Sequence, residues 1–130
     1  MLILTLRTDN PTAEIGLFED KGKLSHTSWQ AGRDLSITLH QKIEDILKLN
    51  NKAWQDIEGV VVYKGPGSFT GLRIGFSVAN TVAYTLQIPI VSELSSKWEL
   101  LGISRLLKGE DEKVALPEYG SAPKTTKPKK

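Results

Sequence analysis

Residues 57–75 read IEGVVVYKGPGSFTGLRIG, and this stretch decides the fold. Ile57 to Tyr63 form a continuous, β-branched run, the pattern of a central strand covered on both faces. Gly65-Pro66-Gly67 imposes a rigid turn with unusual backbone angles. Ser68 or Thr70 can then cap a helix over residues 71–86. A buried strand, a glycine-rich turn and an immediate helix make one unit of an α/β sheet.

Towards the N-terminus, Leu35, Leu39, Ile43, Ile46 and Leu47 recur at helical spacing over residues 34–49. Asp34 is placed to cap that helix and Asn50-Asn51 to end it. Residues 2–6, 13–18 and 24–29 read as strands. Asp9-Asn10-Pro11 separates the first two, and Asp20-Lys21-Gly22-Lys23 is a hairpin signal. The third run mixes polar and apolar residues, which predicts an antiparallel strand near a sheet edge. Towards the C-terminus the pattern predicts a short strand over residues 88–91 and a helix over 95–107. A charged linker follows over 109–112, with a further edge strand at Val114–Leu116. The predicted class is α/β, with a mixed sheet in the order β-β-β-α-β-α-β-α: a meander, then parallel strands with crossover helices.

At 130 residues, 39% hydrophobic and 25% charged, the chain suits one globular domain. It has no cysteine, which excludes disulfides, thiolate chemistry and cysteine-held metals. His26 and His40 alone do not make a metal site, and no metal or cofactor is expected. Of the 17 Lys and Arg, four lie in residues 120–130, whose Pro/Lys/Thr composition reads as a basic disordered tail. Residues 1–119, the predicted domain, keep 13 basic against 15 acidic side chains, so the body is not built to grip nucleic acid. No stretch approaches the ~20 apolar residues of a membrane span. The apolar opening, without a basic flank, reads as a strand and not a signal peptide, so the expected location is cytoplasmic.

Two features carry functional information. The first is the loop itself. Gly65, Gly67, Ser68 and Thr70 precede a helix N-terminus and make a weak anion-site candidate. The Gly-Lys-Ser/Thr ending of a P-loop is absent. Arg73, in the first turn, can hold a carboxylate or phosphate. The second feature is the helix. Its apolar residues cover an arc of about 200°, whereas lying on a sheet needs about 100°. Gly71, Gly75, Ala79 and Ala83 fall four apart and form a row that another helix could approach closely. That row would be filled by a partner, by the 34–49 helix, or by both as a shared platform. The predicted partner-binding residues are Gly71, Arg73, Gly75, Val78, Ala79 and Val82, supported by Leu35, Leu39 and Ile43. On this reading Gly75→Leu and Ala79→Arg leave the monomer folded but block association. No catalytic residue is predicted. Ser68 lacks the Gly-x-Ser-x-Gly context, and Glu44, Asp45, Asp56 and Glu58 form no acid–base pair. His40 lies at the margin of an apolar face, and Trp29, Trp54 and Trp98 read as packing residues.

The segment KGPGSFTGLRIG, with Ala79, Ala83 and Ile88-Pro89 after it, resembles the fingerprint of the TsaB (YeaZ-type) family. The opening ILTLRTDNPTAEIGLF is similar to that family's first strand, loop and second strand. Pro117-Glu118-Tyr119 resembles its Pro-x-Tyr close. The likeness covers residues 1–105 and that short end. It implies one ribonuclease-H-like domain of the actin/sugar-kinase/Hsp70 superfamily, matching the N-terminal half of a chain that is usually duplicated. It further implies a non-catalytic scaffold for TsaD, its paralogue, in forming N6-threonylcarbamoyladenosine beside the tRNA anticodon. TsaD would dock on helices matching residues 34–49 and 71–86, as a heterodimer. A TsaE-like ATPase is a further implied partner, and homodimers would use overlapping surface. Contact with tRNA would be indirect or through the tail. The family's first-strand acid falls at Arg7 here, which argues against nucleotide use. The alternatives are a nucleotide- or anion-binding module or enzyme using the KGPGSFTG loop, or a homodimer with another role.

Overall fold

A computed structural model describes residues 1–119. The basic segment 120–130, expected to be a disordered tail, lies outside the described residues. The elements follow the predicted order: β1 (Leu2–Arg7), β2 (Thr12–Glu19), β3 (Gly22–Gln30), α1 (Leu35–Leu49), β4 (Gly59–Tyr63), α2 (Phe69–Leu86), β5 (Ile90–Glu93) and α3 (Trp98–Leu107). The sheet order is β3-β2-β1-β4-β5. β1, β2 and β3 form the antiparallel meander, and β1, β4 and β5 are parallel.

Alternation along β1 sorts the two layers. Leu2, Leu4 and Leu6 point to one face, where they pack with Ile15, Leu17, Val60 and Val62 beneath α1 and α2. Ile3 points to the other, where Phe18, Val61 and Val91 meet Trp98, Ile103 and Leu106 of α3. β4 is buried on both faces, as its unbroken β-branched run requires.

Boundaries differ from expectation for local reasons. Ser68 is the N-cap of α2 and its side chain accepts from the Gly71 amide, so the helix starts at Phe69. Asp34 occupies the N-cap position of α1, yet its side chain makes no cap bond. A 3-10 turn at Gly32–Asp34 leads the chain in instead. Gln87 closes α2 in the left-handed conformation (φ 58°) and delays β5 to Ile90. Ser95 accepts from the Lys97 amide through its side chain, and α3 begins at Trp98.

Val114–Leu116 form no strand, contrary to expectation. Residues 111–119 run as an irregular strap along the edge of β5 and over α2. One main-chain bond ties it to β5, from the Glu112 amide to the Ile90 carbonyl (2.8 Å). The two outward amides of β5 donate to side chains instead: Ile90 to Asp111 Oδ1 (3.1 Å) and Ser92 to Glu112 Oε2 (2.8 Å). Carboxylates therefore seal this edge, which a bare strand would leave open to other chains. Arg105 holds Glu112 of this strap, Glu110 just before it and Glu93 of β5. Its guanidinium is held ionised more firmly than usual, first by the hydrogen bond to Glu110 and then by those to Glu93 and Glu112. Asn80 of α2 exchanges two hydrogen bonds with the Ala115 backbone (3.0 and 2.9 Å).

Candidate interaction groove

The small-residue row of α2 faces its own domain. A Cβ on Gly71 would lie 2.4 Å from the Thr8 carbonyl oxygen, and one on Gly75 would lie 2.0 Å from Thr8 Oγ1. The helix therefore rides directly on the end of β1, and Thr8 Oγ1 donates to the Gly71 carbonyl (2.8 Å). Ala79 and Ala83 continue the row into the core. At Gly71 and Gly75 the row is filled by Thr8 at the end of β1, and not by a partner or by α1. Leu35, Leu39 and Ile43 are likewise buried beneath α1. Gly75, Ala79, Leu39 and Ile43 thus hold the domain together and are not surface contacts. Gly75→Leu and Ala79→Arg would disrupt the fold itself, a correction to the expectation drawn from spacing alone.

The apolar excess of α2 is real, but it lies beside that row. One hollow of about 380 Å³ is lined by His40, Trp54, Ser77, Val78, Val82 and Leu86, among others. A second, of about 570 Å³, lies between α2 and the strap and includes Arg73, Ile74, Ser77, Val78, Leu116 and Tyr119. Ser77 and Val78 line both, so the two hollows join into one groove along the outer flank of α2. A third, of about 290 Å³, lies between the starts of α1 and α2; Leu35, Gly71 and Ile74 line it with Arg33. Of the predicted residues, Arg73, Val78 and Val82 line the groove, and Gly71 and Leu35 line the third hollow. Phe69, Ile37 and Tyr84 on the same helices are 53%, 73% and 79% exposed. α3 also shows leucines to solvent, Leu100, Leu101 and Leu107.

Sequence reasoning missed the aromatic side of the groove, His40, Trp54 and Tyr119. His40 stacks on Trp54, with ring centroids 5.0 Å apart. Phe69 packs on Tyr119 at 4.6 Å, and the Arg73 guanidinium lies over Phe69 at 5.3 Å. Arg73 and Phe69 are four residues apart on α2, but His40–Trp54 and Phe69–Tyr119 join separate segments of the chain, and no local spacing signals them.

The glycine-rich loop has a packing role. Gly65 adopts φ 104°, and a Cβ there would lie 2.5 Å from the Glu118 carbonyl oxygen. Glycine is required on both counts. The Ser68 amide donates to the Asp9 carbonyl (2.7 Å) and Gly67 abuts Asp9, so part of the candidate anion cradle is filled by the chain. Arg7 grips Asp9 through Nε (2.7 Å) and Nη2 (3.2 Å), and its guanidinium lies 4.0 Å from the Tyr63 ring centroid. The Asp9 hydrogen bond is the main cause of the raised pKa of Arg7. Among the described residues no group of three or more His, Asp or Glu could hold a metal ion.

The family model described as TsaD, tRNA N6-adenosine threonylcarbamoyltransferase, matches residues 29–102, more than half of the chain. A TsaB of Bacillus subtilis, described as a tRNA threonylcarbamoyladenosine biosynthesis protein, is 35% identical over 109 residues. That match covers 84% of this chain and 47% of the relative. The chain belongs to the TsaB (YeaZ-type) family, within the wider TsaD group. The TsaB of Escherichia coli is 26% identical over 120 residues, covering 88% of this chain and 52% of its own. The chain therefore spans about half the length of the curated TsaB relatives it matches. YeaZ from Pseudomonas aeruginosa superposes with a TM-score of 0.67 at 25% identity, over 72% of this chain and 43% of that one. Thermus thermophilus RuvC, solved with a Holliday junction, superposes at 0.52 and 11% identity, over 92% of this chain and 85% of its own, a likeness of fold alone. The expected ribonuclease-H-like class stands with the TsaB family assignment.

Proposed function

We propose that this TsaB-family chain is a non-catalytic subunit of the machinery that forms N6-threonylcarbamoyladenosine in tRNA. Its residues 1–119 act as one domain that binds and steadies a TsaD-like enzyme. The observation that carries this reading is the open groove along α2. Val78, Val82, Leu86 and Trp54 line it, and nothing in the described chain covers it. An apolar groove with aromatic groups and an arginine has the anatomy of a protein interface. Arg7, spent on Asp9 and Tyr63, stands where the superfamily resemblance implies an acid for a hydrated metal, so the reading assigns no nucleotide chemistry to this half. A homodimer would use the same groove and compete with the enzyme. A TsaE-like ATPase would act on the assembled complex, and tRNA would be met through the partner. No helix among the described residues is long and apolar enough to cross a membrane. The proposed place of work is the cytoplasm.

Ser77 is exposed and lines both hollows, so it reports on the groove without touching the core. Ser77→Arg is expected to leave the thermal melt unchanged. It should abolish co-elution with the tRNA N6-adenosine threonylcarbamoyltransferase of the same genome in size-exclusion chromatography. An intact complex with that variant would remove the groove from the interface.

A further inference from the structure

The groove has two chemically unlike ends. Around the C-terminal half of α2 it is lined by Val82, Leu86, Trp54 and His40. At the N-terminal end stands Arg73, with Arg33 across the adjoining hollow that shares Thr70 and Ile74. The chain's other two arginines are saturated, Arg7 by Asp9 and Arg105 by Glu93, Glu110 and Glu112. Among the described residues no carboxylate lies within ion-pair distance of Arg73. Its neighbour is the Phe69 ring, itself braced by Tyr119. Stacking on a fixed ring pre-orients a guanidinium and lowers the entropy lost when an anion binds.

We propose that the Arg73 end of the groove is a carboxylate receptor. The partner's helix seats apolar side chains over Val78, Val82 and Leu86 and lays an Asp or Glu against Arg73. From Arg73 to Leu86 α2 rises about 20 Å, so the acid lies three to four turns from the far apolar anchor. The inference rests on the reading that a protein partner fills the groove, and it says which kind. A second copy pairing α2 with α2 cannot supply the acid, because Phe69–Leu86 contains neither Asp nor Glu. On α1 the acids are Glu44, beside Trp54 and His40, and Asp45, which accepts from Gln41. Both belong to the far half of that helix, so a second copy meeting the groove with α1 would have to supply Asp34, ahead of its first turn. Pairing α2 with α2 supplies no acid at all, which favours a different chain.

The test is titration calorimetry against the purified tRNA N6-adenosine threonylcarbamoyltransferase of the same genome, at low and high salt. Arg73→Met should weaken binding about tenfold and flatten its salt dependence, and Arg73→Glu should weaken it about a hundredfold. Arg73→Lys should keep the salt dependence with a smaller loss. If Ser77→Arg abolishes binding while Arg73→Met matches wild type at both salts, the groove is occupied but no carboxylate meets Arg73, and the inference fails alone. If Ser77→Arg also binds like wild type, the proposed function fails and takes the inference with it. If Arg73→Met weakens self-association in sedimentation velocity as much as it weakens the heterocomplex, a second copy supplies the acid and the preference for another chain is wrong.

Discussion

Replacing Gly75 with alanine adds one methyl group to α2. On helix propensity alone it should stabilise the protein by about 1 kcal/mol. The structure reverses the sign. The new Cβ would lie 2.0 Å from Thr8 Oγ1 and 3.1 Å from Thr8 Cβ and Cγ2. Thr8 is 1% exposed, and its hydroxyl is bonded to the Gly71 carbonyl at 2.8 Å. Relief requires Thr8 to rotate or α2 to lift from β1. Rotation forfeits a buried hydrogen bond, about 1 kcal/mol, and crowding costs about 2 kcal/mol. Set against the propensity gain of about 1 kcal/mol, the net is a loss of about 2 kcal/mol. Urea unfolding followed by tryptophan fluorescence measures it. Thr8→Ala removes the clashing hydroxyl, so the double variant should be more stable than the summed single losses by about 2 kcal/mol. A Gly75→Ala protein as stable as wild type would refute the close approach of helix and strand.

Three further outcomes are expected. Asn80→Ala leaves the Ala115 amide and carbonyl without their partner and should cost about 2 kcal/mol; limited proteolysis would then cut within residues 111–119 faster, and an unchanged cleavage rate would count against the strap's anchorage. Arg7→Asp removes the grip on Asp9, sets two carboxylates together and loses the Tyr63 contact, a destabilisation of about 2 kcal/mol measured by urea unfolding; a neutral result would show that the Arg7–Asp9 pair contributes nothing. Arg105→Met releases Glu93, Glu110 and Glu112 at once and should lower stability by about 2 kcal/mol, with hydrogen exchange quickening at the Ile90 and Ser92 amides; unaltered protection there would separate the ion cluster from the sheet edge.

Much of the fold was legible because its signals are local. The β-branched run at residues 59–63, the leucine spacing of α1 and the Ser68 cap each act within a few residues. Boundaries shifted where a local bond or turn intervened: the Ser95 side chain before α3 and the left-handed Gln87 before β5. Val114–Leu116 looked like a strand because apolar alternation does not record which atoms bond the neighbouring edge. Asp111 and Glu112 had already taken those amides. The candidate site was legible by element and misplaced by face. Arg73, Val78 and Val82 line the groove, whereas Gly75, Ala79, Leu39 and Ile43 are in the interior.

The amino-acid order alone determined the class of fold, the succession of its elements and the presence of more apolar surface on α2 than one sheet can cover. Periodicity reports how wide a buried arc is, since it depends only on the helical repeat. It carries no information on what lies against each part of that arc. That was decided by the tertiary structure, which brings Thr8 from the end of β1 against the glycines and carries Tyr119 from the C-terminal strap to Phe69 and Arg73. Those approaches join residues far apart in the chain. They turned the small-residue row into a helix–strand seam and left the neighbouring flank as the open groove.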